Sequence, residues 1–272
     1  MRVQVAFLLA CAMLLSARES HAQSYDRCGF IVPGFACWYF EDELGGKYTV
    51  DLSQIEYGPW ETFRLQGTVI DEVTCISTSG TIQNPVALPC PSGVEYCFGD
   101  GGDQAGCTPC PCSNTTPVGS GSGCTNSSGS GARLVATGAF GPIGDTTRIE
   151  VVGATPQTFG VLTVGDNALP QNPQNPCTGS DSGVLSSVLD GLRCVGGNFG
   201  RVGARATDSN GSIGVTNAGW GLPDGPQGGL LEGAGYGLGQ TRRFQVFYRD
   251  NASAVCLTGQ NTTQAVAITL EP

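Results

Sequence analysis

Four cysteines crowd into YCFGDGGDQAGCTPCPC, residues 96–112: Cys97, Cys107, Cys110 and Cys112. Two kinds of chemistry use such a cluster. Thiolates at the spacing Cys107-x-x-Cys110-x-Cys112 can grip zinc, or the sulfurs can close disulfides across a loop-rich chain. The zinc reading runs short of ligands. A closed zinc site takes four, but no second Cys-x-x-Cys occurs, and the sole histidine, His21, falls in the N-terminal leader. The cysteines are therefore read as disulfide partners: Cys28, Cys37, Cys75, Cys90, Cys97, Cys107, Cys110, Cys112, Cys124, Cys177, Cys194 and Cys256. Their pairing stays open at this stage.

The scarcity of histidine also limits catalysis. Without imidazole there is no Ser-His-Asp or Cys-His mechanism, and imidazole-ligated metals go too. Lys47 is the only lysine, and paired cysteines are not nucleophiles. Carboxylates, Tyr, Ser and Arg remain, which leaves carboxylate-based glycosidases or calcium-dependent lyases. Glu232 and Tyr236 sit in GGLLEGAGYGLG (228–239), where glycines let a ligand approach closely. Glu232 could work with Asp224 or Asp250, although nothing in the spacing sets them face to face. Asp100 and Asp103 in GDGGD resemble part of a calcium loop but lack the later bidentate Glu, so an ordinary turn is the simpler reading. Arg242 and Arg243 could clamp a carboxylate or sulfate, or simply be solvated.

Aromatic side chains offer binding rather than catalysis. Trp38, Tyr39, Trp60 and Trp220 could stack on sugar rings, with burial the simpler role for each. Trp38 and Tyr39 are neighbours in a strand and point to opposite faces. Trp220, in the turn-rich NAGWGLPDG, is the best placed of the four for a ligand. The weak ligand contacts are thus Trp220, Glu232 and Tyr236, and no catalytic, cofactor-binding or metal residue is assigned.

The elements that position these residues follow from composition and alternation. The first 22 residues pair Arg2 with an apolar run from Val5 to Leu15 and end on Ser20-His21-Ala22, the pattern of a secretory signal; a second reading attaches lipid at Cys11. The run is shorter than the ~20 apolar residues of a membrane-spanning helix. Of thirteen cysteines, loss of Cys11 with that segment leaves an even twelve. Forty-two glycines, 16 prolines and 13% charged residues describe short strands and loops. The formal charge of −10 repels phosphate backbones, and no basic stripe offsets it, which argues against nucleic acid and anionic membranes.

ACWYF (36–40), KYTVDL (47–52), TFRLQGTVI (62–70) and GTIQNPVAL (80–88) read as half-buried strands with a period of two. Together they suggest a small OB-like barrel over 23–95. Residues 96–131 form a Cys/Gly/Ser-rich stapled connector. Six further strands, ARLVATG, TRIEVVGA, TFGVLTVG, NFGRVGARA, RRFQVFYRD and QAVAITLEP, suit an antiparallel β-sandwich over 132–272. VLSSVLDGL (184–192) has apolar residues at helical spacing and predicts a short helix or a turn. The expected fold is all-β, disulfide-stapled, with little helix.

The pieces YCFGDGG, CPCxN, GxGCxNS and GARLxAxG (96–138), then DGLRCVGG (190–197) and TRRFQVFYRD (241–250), resemble an uncharacterised C-terminal β module of exported proteins of environmental bacteria. The front part is similar to a small OB-like region that can precede it. Cys107 is extra to that pattern. The resemblance implies export and β-structure, and carries no activity. The expectation is a secreted, non-catalytic surface, adhesion or extracellular-assembly protein without a cofactor. Its partners would be surface proteins, glycans or further copies of itself. A carbohydrate-binding protein is the alternative, and a carboxylate-based glycoside hydrolase or lyase the third. Sequons at Asn114, Asn126, Asn210, Asn251 and Asn261 are glycosylation acceptors in a eukaryotic host.

Overall fold

The structure is a computed structural model. It describes residues 22–34, 37–42, 44–58, 63–73, 75, 78–101, 109–138, 140–141, 144–145, 147–172, 174–175, 177, 179–221, 230–233, 236–237, 239–250 and 256–270. The protein is all-β, with 47% of the described residues in strands and 4% helical. It divides into two compact units, Met1–Leu88 and Pro89–Pro272.

The first unit is a closed barrel of β1 (Gln23–Pro33), β2 (Trp38–Asp42), β3 (Lys47–Val50), β4 (Phe63–Ile70) and β5 (Thr81–Pro89), in the order β1-β2-β3-β5-β4. β1 closes it by pairing antiparallel with β4 along its first half and with β2 along its second. The strand changes partners at Gly29, which pairs with both Asp42 and Phe63. A Cβ there would collide with the Glu41 carbonyl and the Phe40 ring, so only glycine fits. β3 and β5 pair in parallel.

Alternation fills the barrel with Tyr25, Ile31, Phe40, Val50, Phe63, Leu65 and Ile82. Phe40 and Phe63 pack with ring centroids 5.1 Å apart. Asp42 fastens the β2–β3 turn to this core. Its Oδ1 accepts from the Leu44 and Gly46 backbone N–H groups, and its Oδ2 from the Tyr25 hydroxyl at 3.0 Å. Cys37 and Cys75 form a disulfide.

The four expected strands of this unit are present. β1 is an addition that sequence reasoning missed, because Asp26, Arg27 and Gly29 interrupt its alternation. On β2 neither Trp38 nor Tyr39 is the core residue; Phe40 is.

The second unit contains β6 (Val94–Tyr96), β7 (Arg133–Thr137), β8 (Phe140–Gly141), β9 (Gly144–Asp145), β10 (Arg148–Val152), β11 (Phe159–Gly165), β12 (Asn167–Ala168), β13 (Val195–Gly196), β14 (Gly200–Ala206), β15 (Trp220–Gly221), β16 (Thr241–Arg249) and β17 (Gln260–Thr269). A five-stranded sheet, β14-β11-β16-β17-β6, packs on a three-stranded sheet, β15-β10-β7. Between them lie Leu134, Ile149 and Val151 from the small sheet, and Leu162, Phe244, Val246, Tyr248, Val266 and Ile268 from the large one. The expected sandwich is this pair of sheets, and each of its six expected strands is present.

Two glutamines do backbone work inside it. Gln264 Oε1 accepts from Leu134 N–H and its Nε2 donates to Leu134 C=O, so one side chain on β17 pairs with β7 as a strand would. Gln245 accepts from Cys194 N–H and donates to Leu192 and Thr263 C=O. Buried polar groups are tolerated when satisfied in this way.

The sequence reading divides the chain at 95/96, whereas the compact units divide at Leu88/Pro89. The 96–131 stretch is fastened to the sandwich by Cys97–Cys194 and Cys112–Cys256, and internally by Cys110–Cys124. Cys28, Cys90 and Cys177 are disulfide-bonded as well. VLSSVLDGL forms a turn, with Leu185 and Val188 exposed and Leu189 and Leu192 buried. The leader with Cys11 and His21 lies outside the described residues.

Candidate functional site

Strand alternation gives the large sheet two unlike faces. On β16, Phe244, Val246 and Tyr248 point into the sandwich, so Arg243, Gln245, Phe247 and Arg249 point out. Part of that outer face is covered. Leu192, Cys194 and Val195 pack there with Cys97, Cys110 and Cys124 against Tyr96 and Ala265. The part over β11, β14 and β16 is open and holds a cleft of about 310 Å³, lined by Phe159, Val161, Phe199, Arg201, Phe247 and Arg249, with Gln260 at its edge.

Register makes this cleft. β11 pairs with β14 on one side and β16 on the other, bringing Thr163 beside Arg201 and Val161 beside Phe247. Phe199 enters from the turn before β14. Its ring meets Phe247 edge-on, centroids 6.1 Å apart at 77°. Phe159 and Phe199 keep 46% and 39% of their surface in solvent, a high exposure for two large apolar rings lining one cleft.

Each exposed ring carries a guanidinium. Arg249 lies 5.7 Å from the Phe159 centroid and Arg193 lies 5.0 Å from that of Phe199. Arg193 is also oriented by donating from Nε to Val195 C=O. Among the described residues, Arg193, Arg201 and Arg249 take part in no ion pair. The cleft is therefore cationic within a chain of formal charge −10.

The residues singled out from sequence lie elsewhere. Trp220 is not a surface aromatic. It is 2% exposed within the sandwich core and donates its indole N–H to Gly203 C=O, which corrects its reading as a ligand contact. Tyr236 is half-buried against the same core, with the Arg242 guanidinium 4.6 Å above its ring; burial raises its phenol pKa. The Glu232 side chain, Asp224, Asp103, Cys107, Trp60 and Asn251 lie outside the described residues.

Asp250, the other carboxylate offered to Glu232, is buried and committed to structure. It accepts from Ser127 N–H and Oγ–H and from Thr155 Oγ–H. Asp100 is buried too and accepts from Gly119 N–H at 2.8 Å, which suits the turn reading. Arg242 donates to Gln240 and Arg243 to Asp166 C=O. Cys110 and Cys112 are in disulfides, so these two are staples rather than zinc ligands.

Three of the sequon asparagines are internal. Asn114, Asn126 and Asn261 are buried and donate their amides to backbone carbonyls, among them Asp190, Gly153 and Thr125. Asn210 lies exposed in a turn.

No family model, no curated protein and no solved structure matches this chain. What the cleft can do chemically is read from its parts: flat apolar rings accept an apolar ring face, and unpaired guanidiniums accept carboxylate, sulfate or phosphate. Sequence reasoning missed it. The visible signal was Phe247, an outward phenylalanine between Gln245 and Arg249 on a strand whose other face is the core.

Proposed function

We propose that this is an extracellular, non-catalytic binding protein of a surface or assembly system, and that the Phe–Arg cleft of its second unit is its contact face. One observation carries the reading. Phe159, Phe199 and Phe247 line one cleft with Arg201 and Arg249, Arg193 stands over the Phe199 ring, and among the described residues none of these arginines is in an ion pair, in a chain of formal charge −10. Apolar rings left in water cost free energy, and arginine with aromatics is the composition of interface hot spots. Disulfide-bonded cysteines fit an oxidising compartment, as the resemblance to exported modules implies. Among the described residues no helix is long and apolar enough to cross a membrane. The commitment of Asp250 to backbone support favours binding over carboxylate catalysis.

We read the first unit as OB-like, from its five-stranded closure and the parallel pairing of β3 with β5.

The test is retention of the protein on a panel of immobilised neutral and acidic polysaccharides and acidic and basic proteins, with product release monitored. The expected result is retention without turnover, lost in the Phe159→Ala/Phe199→Ala double variant. Equal retention of that variant, no retention by any polymer, or turnover would overturn the reading.

A further inference from the structure

The cleft is more specific than a generic sticky patch, because its cations are held in place. A guanidinium drawn over a phenyl face is biased toward that position and can still offer N–H groups at its edge. Arg249 stands over Phe159 in this way, whereas Arg193, over Phe199, gives its Nε–H to Val195 C=O and has its Nη edge left for a ligand. An arginine already ordered loses less entropy on meeting a ligand, and its fork matches a carboxylate with two parallel hydrogen bonds. Phe159 and Phe199 present apolar surface beside these forks, and Gln260 adds an amide at the edge. The ligand that answers all of these has carboxylates set along an apolar, hydroxyl-rimmed ring.

A peptide is less well served. Peptide recognition at sheets works chiefly by adding a strand to a free edge. Here the cleft lies on a face whose central strands β11 and β16 are paired on both sides. At the adjoining edge, carbonyls of β14 are already taken: Gly203 by Trp220 Nε1, Ala204 by Arg205 Nη1 and Ala206 by Asn217 Nδ2.

We infer that the cleft takes a carboxylate-bearing polysaccharide, a polyuronate. Its sugar faces lie on Phe159 and Phe199, and its carboxylates meet Arg193, Arg201 and Arg249. The chain's formal charge of −10 disfavours a polyanion where no such cluster of arginines offsets it. The inference rests on the binding-surface reading above and names its ligand class.

The experiment is calorimetric titration of the whole protein with polygalacturonate in the presence of a chelator. Fully methyl-esterified polygalacturonate and poly-glutamate serve as comparison probes. The expected result is binding to polygalacturonate that weakens about tenfold or more in high salt and about tenfold in Phe199→Ala and in Arg249→Gln. The ester should bind about tenfold more weakly still, because its carboxylates are capped. Phe199 and Arg249 are exposed, and an unchanged thermal unfolding midpoint certifies each variant as folded. Arg201→Gln is the second exposed variant.

Equal binding of the ester overturns the carboxylate class and leaves a neutral-glycan surface. Tighter, variant-sensitive binding of poly-glutamate identifies an acidic protein segment instead and overturns the glycan. If polygalacturonate does not bind while another polymer of the panel is retained through Phe159 and Phe199, the ligand class falls and the surface reading stands. If no polymer is retained at all, both fall.

Discussion

At the scale of single residues, the chain uses polar side chains where a backbone would normally serve. Gln264 supplies both the donor and the acceptor that Leu134 needs. Gln264→Ala leaves a buried N–H and C=O unpaired and is expected to cost roughly 2–4 kcal/mol, read as a lowered urea midpoint of the second unit. Gln264→Glu should be no better, since a carboxylate cannot donate to Leu134 C=O. The buried asparagines make a second point. In folded protein from a glycosylating host, peptide mapping should find glycan at Asn210 and none at Asn114, Asn126 or Asn261, whose amides are inside the fold. A glycan on any of those three in native protein would contradict the packing described. Neither role was readable from type alone. Sequon asparagines and Gln look solvent-facing until tertiary contacts bury them, Asn114 and Asn126 against loop carbonyls and Gln264 against β7.

At the scale of elements, legibility followed periodicity. KYTVDL and TFRLQGTVI declared their faces through Tyr48 and Val50, and through Phe63 and Leu65, because strand side chains alternate. β1 was hidden by the exposed Asp26, which accepts two hydrogen bonds from Arg64 across the ladder, and by the glycine its bend requires. β17 shows the opposite case. Its apolar half, AVAIT, was legible, while its polar half, QNTTQ, is equally a strand whose Asn261, Thr262, Thr263 and Gln264 are all buried. The cleft was invisible for a topological reason: Phe159, Phe199 and Phe247 are remote in sequence and meet only through the β14-β11-β16 order.

The disulfides carry the elements with least apolar support. In the chain-entropy picture a crosslink contributes more as its loop lengthens, about 3 kcal/mol for 15 residues and about 4.7 for 100. Cys97–Cys194 spans 97 residues and Cys110–Cys124 spans 14. Removing the first as a Cys97→Ala/Cys194→Ala pair should therefore lower the urea-measured stability more than removing the second. The reverse order would mean that the long loop is held by packing alone.

At the scale of the whole molecule, stability should fail at both ends of the pH range, for different reasons. Hydrogen bonds hold several carboxyls below the ordinary carboxylate range: Arg64 acts on Asp26, the Asn198 N–H on Asp166 and Thr216 on Asp208. A depressed carboxyl stabilises the fold above its unfolded pKa, near 3.9, and that stability is lost as pH falls through the folded value. At the alkaline end, burial raises the phenols of Tyr25, Tyr96 and Tyr248 above their ordinary value. A raised phenol contributes stability that is complete below its unfolded pKa, near 10, and is lost as pH climbs past it, because the unfolded chain ionises first. Phenolate absorbance of these buried tyrosines should accordingly rise together with the loss of β-structure in an alkaline titration, and not before it.

The central claim concerns where the molecule makes contact. Trp38, 42% exposed on the barrel strand β2, is the strongest rival aromatic. The direct measurement compares polygalacturonate affinity in wild-type protein, Phe199→Ala and Trp38→Ala under identical low-salt conditions. The cleft account predicts about tenfold weaker binding for Phe199→Ala and wild-type affinity for Trp38→Ala. Binding that survives Phe199→Ala and disappears with Trp38→Ala would move the contact face to the barrel and contradict it.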